Sequence, residues 1–446
     1  MRVLLTIVLA TLVPGGCAGG NIFARLDDNL SRGDCPAAIA LIDDSADAYG
    51  SNAQLLYLLD AAMVYLQCGD LEAAQAHFQS ADDLAERLWT ESIARHTLSL
   101  VTNDRVLPYA GEDFERVMIH LMSAIAYLQA EQPDEALVET RRLDTLLAVY
   151  NDKYEKKNVY KEDAFARYLS GILREADGEW DEAFIDYRRA AEVYLNDYRA
   201  YGTELPEMLE VDLVRAAVKT DRLADISGIV SAERIDALRR SNRQRDQGKV
   251  VFITFAGYAP EKVQDMAVAP SPQGPIGVAF PRMVITPPHC DRGRLYLASE
   301  ERHFETDLVL VEDINRIALK NLDDRQSRIL GKAVARAVAK QAAIYGISRS
   351  ASDDRNSQQA IASILNLANI LLTERADTRN WRTLPGRIYM TRLRVPAGEY
   401  KVALHACDEM AADLGPLTVA PGSTHFLFRD LRYPPAPNDE THGESQ

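Results

Sequence analysis

Residues 55–81 read LLYLLDAAMVYLQCGDLEAAQAHFQSA, two apolar helical patterns separated by a turn at Gly69-Asp70. After the turn, the small residue Ala74 stands one helical turn before the large residue Phe78. Two antiparallel helices approach closely where one of them presents Gly or Ala, and a large side chain one turn away fills the remaining space. The stretch therefore predicts a tightly packed helical hairpin.

The same frame recurs along the first half of the chain as an internal repeat. The alanines that open the second helix of each unit are 36, 62 and 47 residues apart, so the later units carry insertions. This frame is typical of tetratricopeptide (TPR) repeats and predicts a TPR-like α-solenoid over residues 22–240, with a generic bundle of amphipathic helices as the alternative. The other positions that carry it are Gly33, Ala38, Ile42, Ala124, Tyr127, Ala136, Leu143, Gly171, Gly178, Trp180, Ala183, Tyr187 and Ala190.

The second half of the chain changes its periodicity after a polar linker, SNRQRDQG, at residues 241–248. Short β-branched and aromatic runs with Pro and Gly turns predict a β-rich, sandwich-like domain over residues 249–433, so the fold class is α+β. Two helices near residues 325–345 and 358–373 are expected as an inserted helical hairpin that covers the sheet. A disordered tail is expected at residues 434–446. The predicted strands are 250–255, 295–297, 307–311, 388–394, 400–405 and 425–428.

The N-terminus has the pattern of an export signal. Arg2 precedes an apolar run from Val3 to Val13, which is shorter than the roughly 20 residues that span a bilayer. Small residues then lead to Cys17, and this ending resembles the lipobox of bacterial lipoproteins, in which the Cys is acylated. We therefore expect a signal peptide at residues 1–16 and a lipidated N-terminus at 17–21, held at the periplasmic face of the outer membrane. Secretion to the periplasm without a lipid is the alternative.

The four remaining cysteines form an even set, as expected in an oxidising compartment. In a TPR stack, the start of one second helix lies beside the end of the next first helix, and Cys35 and Cys68 occupy these positions. A disulfide between them is our hypothesis, and two buried thiols are the alternative. The sequence leaves open whether Cys290 and Cys407 pair.

The charge is distributed unevenly. Residues 21–240 carry 23 Lys+Arg against 42 Asp+Glu, whereas residues 241–446 carry 26 against 24. An acidic half repels phosphate backbones and anionic headgroups, so nucleic acid is not an expected partner. A basic partner or ligand is compatible with this half.

Signatures of catalysis are weak in this sequence. It contains no GxxxxGK loop, no GxSxG elbow, no HExxH pair and no CxxC pair. His289-Cys290 lacks further residues at ligand spacing, so a structural role is favoured over a metal site. We expect no enzymatic activity, no metal and no cofactor. A carboxylate pair of the kind that glycosidases use is the catalytic alternative.

Four stretches carry a family resemblance: GEDFER (111–116), KNVYKEDAFARY (157–168), DGEWDEAF (177–184) and RADTRNWRTLP (375–385). Together they resemble a family of functionally uncharacterised proteobacterial lipoproteins with TPR-like N-termini. The resemblance implies a role in cell-envelope assembly, since members of that family accompany small outer-membrane lipoproteins similar to activators of penicillin-binding proteins.

The polar runs in these stretches are richer in charge than packing requires, so they are candidates for a protein-binding site. The candidate partner-binding residues are Glu112, Asp113, Glu115, Arg116, Lys161, Glu162 and Asp163. In the alternative interpretation, Phe114, Tyr160, Phe165 and Tyr168 are core anchors and the charges cap helices. Asp377, Arg379 and Trp381 are similarly candidates for a structural polar network.

The sequence as a whole predicts a lipid-anchored periplasmic scaffold. Its acidic repeat superhelix would bind a protein partner of the cell envelope on its concave surface, with regulation of peptidoglycan synthesis as the expected context. An envelope enzyme acting on peptidoglycan or glycan is the first alternative. A small-ligand carrier with an apolar cavity in the β-rich domain is the second.

Overall fold

The computed structural model describes residues 18–94, 107–153, 160–241, 247–269, 276–288, 290–351, 354, 358, 375–407 and 409–433. Cys17 and the signal segment lie outside these residues. So do His289, the tail at 434–446 and, apart from Gln358, the predicted helix at 358–373.

The helical half, residues 18–241, consists of consecutive antiparallel helix pairs. Helices α4 and α5, α6 and α7, and α8 and α9 form pairs, and each pair stacks on the next through α5 with α6, α7 with α8, and α9 with α10. This stacking confirms the predicted solenoid. The helices are α1 Ala18–Ser31, α2 Cys35–Asp43, α3 Ala46–Tyr49, α4 Gln54–Gln67, α5 Leu71–Ala94, α6 Asp113–Gln129, α7 Pro133–Lys153, α8 Ala164–Ala176, α9 Trp180–Asn196, α10 Glu207–Lys219 and α11 Ala232–Ser241, with 3-10 turns at Ser51–Ala53, Tyr198–Tyr201 and Leu223–Ile226.

The small residues of the repeat frame lie where the helices touch. Ala74 is fully buried, and Phe78 fills the space beside it with 1% of its surface exposed. A Cβ atom on Gly171 of α8 would lie 2.5 Å from the Tyr187 ring of α9, so only glycine allows this close approach. The turn glycine Gly69 adopts φ 78°, which favours glycine. These contacts explain why the frame requires small and large residues in alternation.

The β-rich half contains a sandwich of two four-stranded sheets. The first sheet has the order β10-β1-β7-β6 and the second β5-β4-β8-β9. Strand β1 runs parallel to β10, and the other pairs are antiparallel. The strands are β1 Gln247–Tyr258, β2 Glu261–Ala269, β3 Ile276–Val284, β4 Gly293–Ala298, β5 His303–Asp307, β6 Val309–Glu312, β7 Pro385–Pro396, β8 Gly398–Ala406, β9 Glu409–Val419 and β10 Thr424–Asp430.

Alternation along β1 explains how the first sheet is buried on both faces. Val250 and Phe252 belong to the core between the two sheets, whereas Val251, Ile253 and Phe255 belong to one continuous core shared with the helices. Since side chains of a strand point to opposite faces in turn, the sheet separates the sandwich core from the helical half.

Several elements differ from the sequence prediction. Strand β1 begins inside the predicted linker, the expected strand at 307–311 is divided between β5 and β6, and strand β9 was not predicted. Strands β2 and β3 form a hairpin that the sequence analysis did not predict. The first inserted helix is longer than expected, α12 Ile314–Ala351, and its start is capped by Asp313, whose Oδ1 accepts from the Arg316 amide at 3.0 Å.

Two disulfides lie at the margins of the fold. Cys35 bonds to Cys68 with the Cα atoms 5.5 Å apart, which is the pairing that the repeat geometry indicated. Cys290 bonds to Cys407 with the Cα atoms 5.8 Å apart, which anchors the loop before β4 to the end of β8. Over the described residues, no helix combines the length and apolarity needed to cross a bilayer.

Candidate functional site

The first helices of the repeats, α4, α6, α8 and α10, contact the β-rich half of the same chain. We call the surface formed by these helices the first-helix face; in a TPR superhelix it is the concave face. Trp381, which precedes β7, is fully buried in the core shared with the helices, with its ring 6.4 Å from that of Phe78. The surface expected to receive a partner is therefore occupied by the sandwich, and this corrects the prediction of an open acidic groove.

The central polar contact of this interface joins β7 to α8 and α10. The Arg392 side chain, 2% exposed, forms ion pairs with Glu175 at 3.1 Å and with Asp212. Glu175 is also paired with Lys249 at 2.9 Å and with Arg215, and it accepts a hydrogen bond from a tyrosine of α9. Burial alone would raise the pKa of Glu175, but Arg392, Arg215 and Lys249 lower it below its usual range. Glu175 and Asp212 are thus compensated by cations of the same chain.

A second contact lies at the start of α6. Glu112 and Glu115 form a capping box at this helix end. Glu112 is also ion-paired with Lys262 of β2 and Arg325 of α12. Although burial would raise the pKa of Glu112, these two cations lower it to about 2. The carboxylate therefore stays ionised and holds three elements together.

A third contact surrounds Trp381. Its backbone N–H donates to Glu115 at 2.7 Å, and its indole Nε1–H donates to Thr383 at 2.9 Å. Thr383 in turn donates to Asp60 of α4 at 2.6 Å. Arg379 binds Asp377 and donates to the Asn52 and Leu107 carbonyl oxygens at 2.7 and 3.0 Å. The stretch 375–385 is therefore the structural network that the alternative interpretation described.

A fourth contact places a buried carboxyl group in the interface. Glu312 at the end of β6 is fully buried and accepts from the Tyr198 hydroxyl at 3.1 and 3.0 Å. Asp163 lies close enough to affect Glu312, and it accepts from the Tyr160 hydroxyl at 2.7 Å. Burial and then the Asp163 charge raise the pKa of Glu312 well above its usual value. Burial therefore favours the protonated form of Glu312.

The predicted partner-binding residues are mostly engaged inside the molecule. Asp163 caps α8 by accepting from the Ala166 amide at 2.7 Å. Arg116 is 4% exposed and lies over the Trp89 ring, with Asp113 buried beside it. Glu112 and Glu115 form the contacts given above. Of the seven candidates, Lys161 is exposed and Glu112 and Glu162 are partly exposed, and Glu162 pairs with an arginine of α9. Burial of Phe114, Tyr160, Phe165 and Tyr168 matches the core-anchor alternative.

A separate surface extends from the sandwich. We call β2, β3 and α12 the arm; Ile276 and Val278 of β3 pack on Ala333 and Ala337 of α12. Of the ten large apolar side chains exposed in the described part of the chain, five belong to the arm: Met266, Val268, Val334, Val338 and Tyr345. Gly331, Ala335 and Ala339, small residues at four-residue intervals, are also exposed on α12. The helix carries eight Lys or Arg residues and two Asp residues.

The clefts among the described residues include the following three. One of about 440 Å³ lies near the Cys290–Cys407 disulfide, and one of about 830 Å³ lies beside the β7–β8 turn. Both are lined largely by polar and charged side chains, whereas the ligand-carrier alternative predicts an apolar lining. The third, of about 240 Å³, lies between the arm and α6.

One histidine has the orienting acid that a catalytic alternative would need. The His120 Nδ1 atom lies 2.8 Å from Glu139, and its Nε2 atom lies 3.6 Å from Asp82. His120 is 5% exposed, lies between α5 and α7, and lines none of the three clefts. Its position is that of a structural contact between repeats. The described residues also contain no group of three or more His, Cys, Asp or Glu side chains placed to hold a metal ion.

No protein-family model matches the chain, and no curated protein sequence does. Solved structures with some similarity are repeat proteins. BtubC from P. vanneervenii is 14% identical with a TM-score of 0.32, and the match covers 50% of this chain and 80% of that one. MamA from Desulfovibrio magneticus RS-1 is 14% identical with a TM-score of 0.29, covering 51% and 99%. A kinesin light chain-like TPR protein from Podosopora anserina is 13% identical with a TM-score of 0.31, covering 52% and 100%. The TPR-like assignment rests on the helix pairing above and not on these scores.

Proposed function

We propose that this protein is a lipid-anchored periplasmic scaffold that binds another envelope protein through its arm. In this proposal Cys17 carries the lipid, the outer membrane holds the chain, and the bound partner acts in cell-envelope assembly, with regulation of peptidoglycan synthesis as the context. The export signal, the lipobox-like ending and the family resemblance support the location. The exposed apolar side chains of the arm carry the binding proposal.

The arm fits a protein partner better than the first-helix face does. The first-helix face is filled by the sandwich, and its carboxylates Glu112, Glu175 and Asp212 are paired with cations of the same chain. On the arm, Val334 and Val338 are 40% and 44% exposed on one side of α12. Clustered exposed apolar groups with a polar border are typical of interaction sites. Since α12 carries eight cations and two acids, the complementary partner is an apolar patch bordered by carboxylates.

A crosslinked affinity pull-down from cells tests this proposal. The double variant Val334→Glu/Val338→Glu places two carboxylates on the arm, and we expect it to lose the retained envelope protein. The matched control is Val138→Glu/Val218→Glu, since these two residues are 39% and 46% exposed on other helices. Equal retention by both double variants would contradict binding through the arm.

The same material tests the anchor. We expect an acyl mass on the intact protein, recovery in the outer-membrane fraction, and loss of both in Cys17→Ala. Sedimentation of the purified protein tests whether the partner of the arm is a second copy of this chain or a different protein. Self-association that the arm variant abolishes would show that the arm binds a second copy. A soluble, unmodified wild-type protein would contradict lipid anchoring.

A further inference from the structure

Helix α1 packs against the first repeat along most of its length. Ile22, Leu26 and Leu30 stand at four-residue intervals and are 7%, 1% and 5% exposed, respectively. Because residues four apart share one face of an α-helix, α1 buries one side continuously. The residues of α2 and α4 in the same apolar cluster are Ala38, Ile42, Ala61 and Val64. This cluster fixes α1 to the helical half.

A second set of contacts fixes α1 to the β-rich half. The Phe23 ring lies 5.4 Å from the Tyr258 ring at the end of β1, and the Arg382 guanidinium lies 4.3 Å from the Phe23 ring centroid. The Tyr258 hydroxyl donates to Asp27 and lies 2.8 Å from the Tyr433 hydroxyl. Both halves of the chain are therefore held on this one helix.

Little chain separates α1 from the lipid that we propose. The helix begins at Ala18, the residue directly after Cys17. Since a helix rises about 1.5 Å per residue, Phe23 lies roughly 10 Å from Cys17. The headgroup layer on each side of a bilayer is roughly 5–8 Å thick. A lipid on Cys17 would thus bring the first turns of α1, and the protein body that they contact, to the headgroups.

The residues around these first turns suit a lipid surface. Ala24 and Arg25 are exposed, and Phe23 and Arg382 are partly exposed. Aromatic rings with cationic side chains beside them are common where a protein lies at the boundary between headgroups and acyl chains. We call these four residues the anchor face.

We propose that the anchor face lies directly on the lipid bilayer, so that the lipid fixes the orientation of the protein and is not a flexible tether. This inference rests on the lipid proposed at Cys17 and adds a membrane contact to it. The base of the arm lies here as well, because Arg382 pairs with Glu261, the first residue of β2, at 3.6 Å. The arm therefore starts beside the membrane.

Photocrosslinking to lipid in the full chain tests this contact. A photoreactive phenylalanine analogue replaces Ala24 on the anchor face or, as the matched control, Val218, which is 46% exposed on α10 in the last helix pair. After irradiation of membranes, we expect the mass of a phospholipid to be added at position 24 and not at position 218. Both replaced side chains are exposed, so folding should survive, and unchanged urea midpoints would verify it.

A linker inserted between Cys17 and Ala18 tests whether the attachment is rigid. About twelve Gly and Ser residues spread over roughly 17–21 Å, so the body would turn freely and the adduct at position 24 should fall about fivefold or more. An acyl mass without an adduct at position 24 would overturn the proposal and leave the anchor intact. Equal adducts at positions 24 and 218, or an adduct at position 24 that the insertion leaves unchanged, would overturn it as well. Absence of the acyl mass would instead contradict the anchor itself, and the membrane contact with it.

Discussion

Replacement of Arg392 by methionine tests the attachment of the sandwich to the helices. Methionine retains much of the side-chain volume and removes the charge, so Glu175 and Asp212 lose a cation that is 2% exposed. Removal of one partner from a buried ion pair lowers the free energy of unfolding by about 3–5 kcal/mol, because the remaining charge stays buried without compensation. Glu175 keeps Lys249 and Arg215. We therefore expect a loss near the lower end, about 3 kcal/mol in the free energy of unfolding.

Urea denaturation followed at Trp381 measures this loss. The chain contains three tryptophans, so a Trp89→Phe/Trp180→Phe background leaves Trp381, which lies in the interface, as the reporter. The matched control is Lys401→Met on the exposed side of β8, for which a change within about 0.5 kcal/mol is expected. A loss below about 1 kcal/mol for Arg392→Met would refute the central role of this ion pair.

Three further predictions concern stability. Because burial raises the folded pKa of Glu312, stability is lost as the pH rises from the unfolded pKa near 4.5 towards the folded one, so Glu312→Gln should stabilise the protein more at pH 8 than at pH 5; equal differences at the two pH values would contradict a raised pKa. Gly171→Ala places a methyl group 2.5 Å from the Tyr187 ring and should lower the urea midpoint by overpacking worth about 1–3 kcal/mol, whereas Gly331→Ala, with open space around it, should raise the midpoint. Cys68→Ser removes the Cys35–Cys68 disulfide and should lower the free energy of unfolding by about 2–4 kcal/mol. An unchanged melting curve would show that this bond adds no stability.

The sequence predicted the repeat fold well because its signal is local. Gly171 and Tyr187 are 16 residues apart and meet between neighbouring helices, so their spacing alone indicates the contact. The β2–β3 hairpin was missed because Pro281 lies within β3, and proline usually indicates a loop or an edge strand. Pairing with β2 and packing on α12 overcame that local preference.

The candidate site was less predictable because its partners are distant in sequence. Glu112 lies 150 residues from Lys262 and 213 residues from Arg325, and no local pattern joins them. The charge-rich run around Glu112 therefore suggested a surface for another protein, although its partners lie in the same chain. The sequence did contain one indication of these contacts. Acids are in excess in the first half and cations are slightly in excess in the second, which is compatible with ion pairs between the two halves.

Site-specific photocrosslinking in cells tests most directly whether the helical repeats bind the chain's own sandwich while the arm binds another protein. A photoreactive phenylalanine analogue is placed at Tyr194, whose hydroxyl donates to the Val311 carbonyl of β6 at 2.9 Å, and in a second strain at Val338 on the arm. We expect position 194 to crosslink only within the chain and position 338 to form an adduct with a separate envelope protein. Adducts with another protein from position 194, together with none from position 338, would show that the repeats open to bind their partner and would contradict both conclusions.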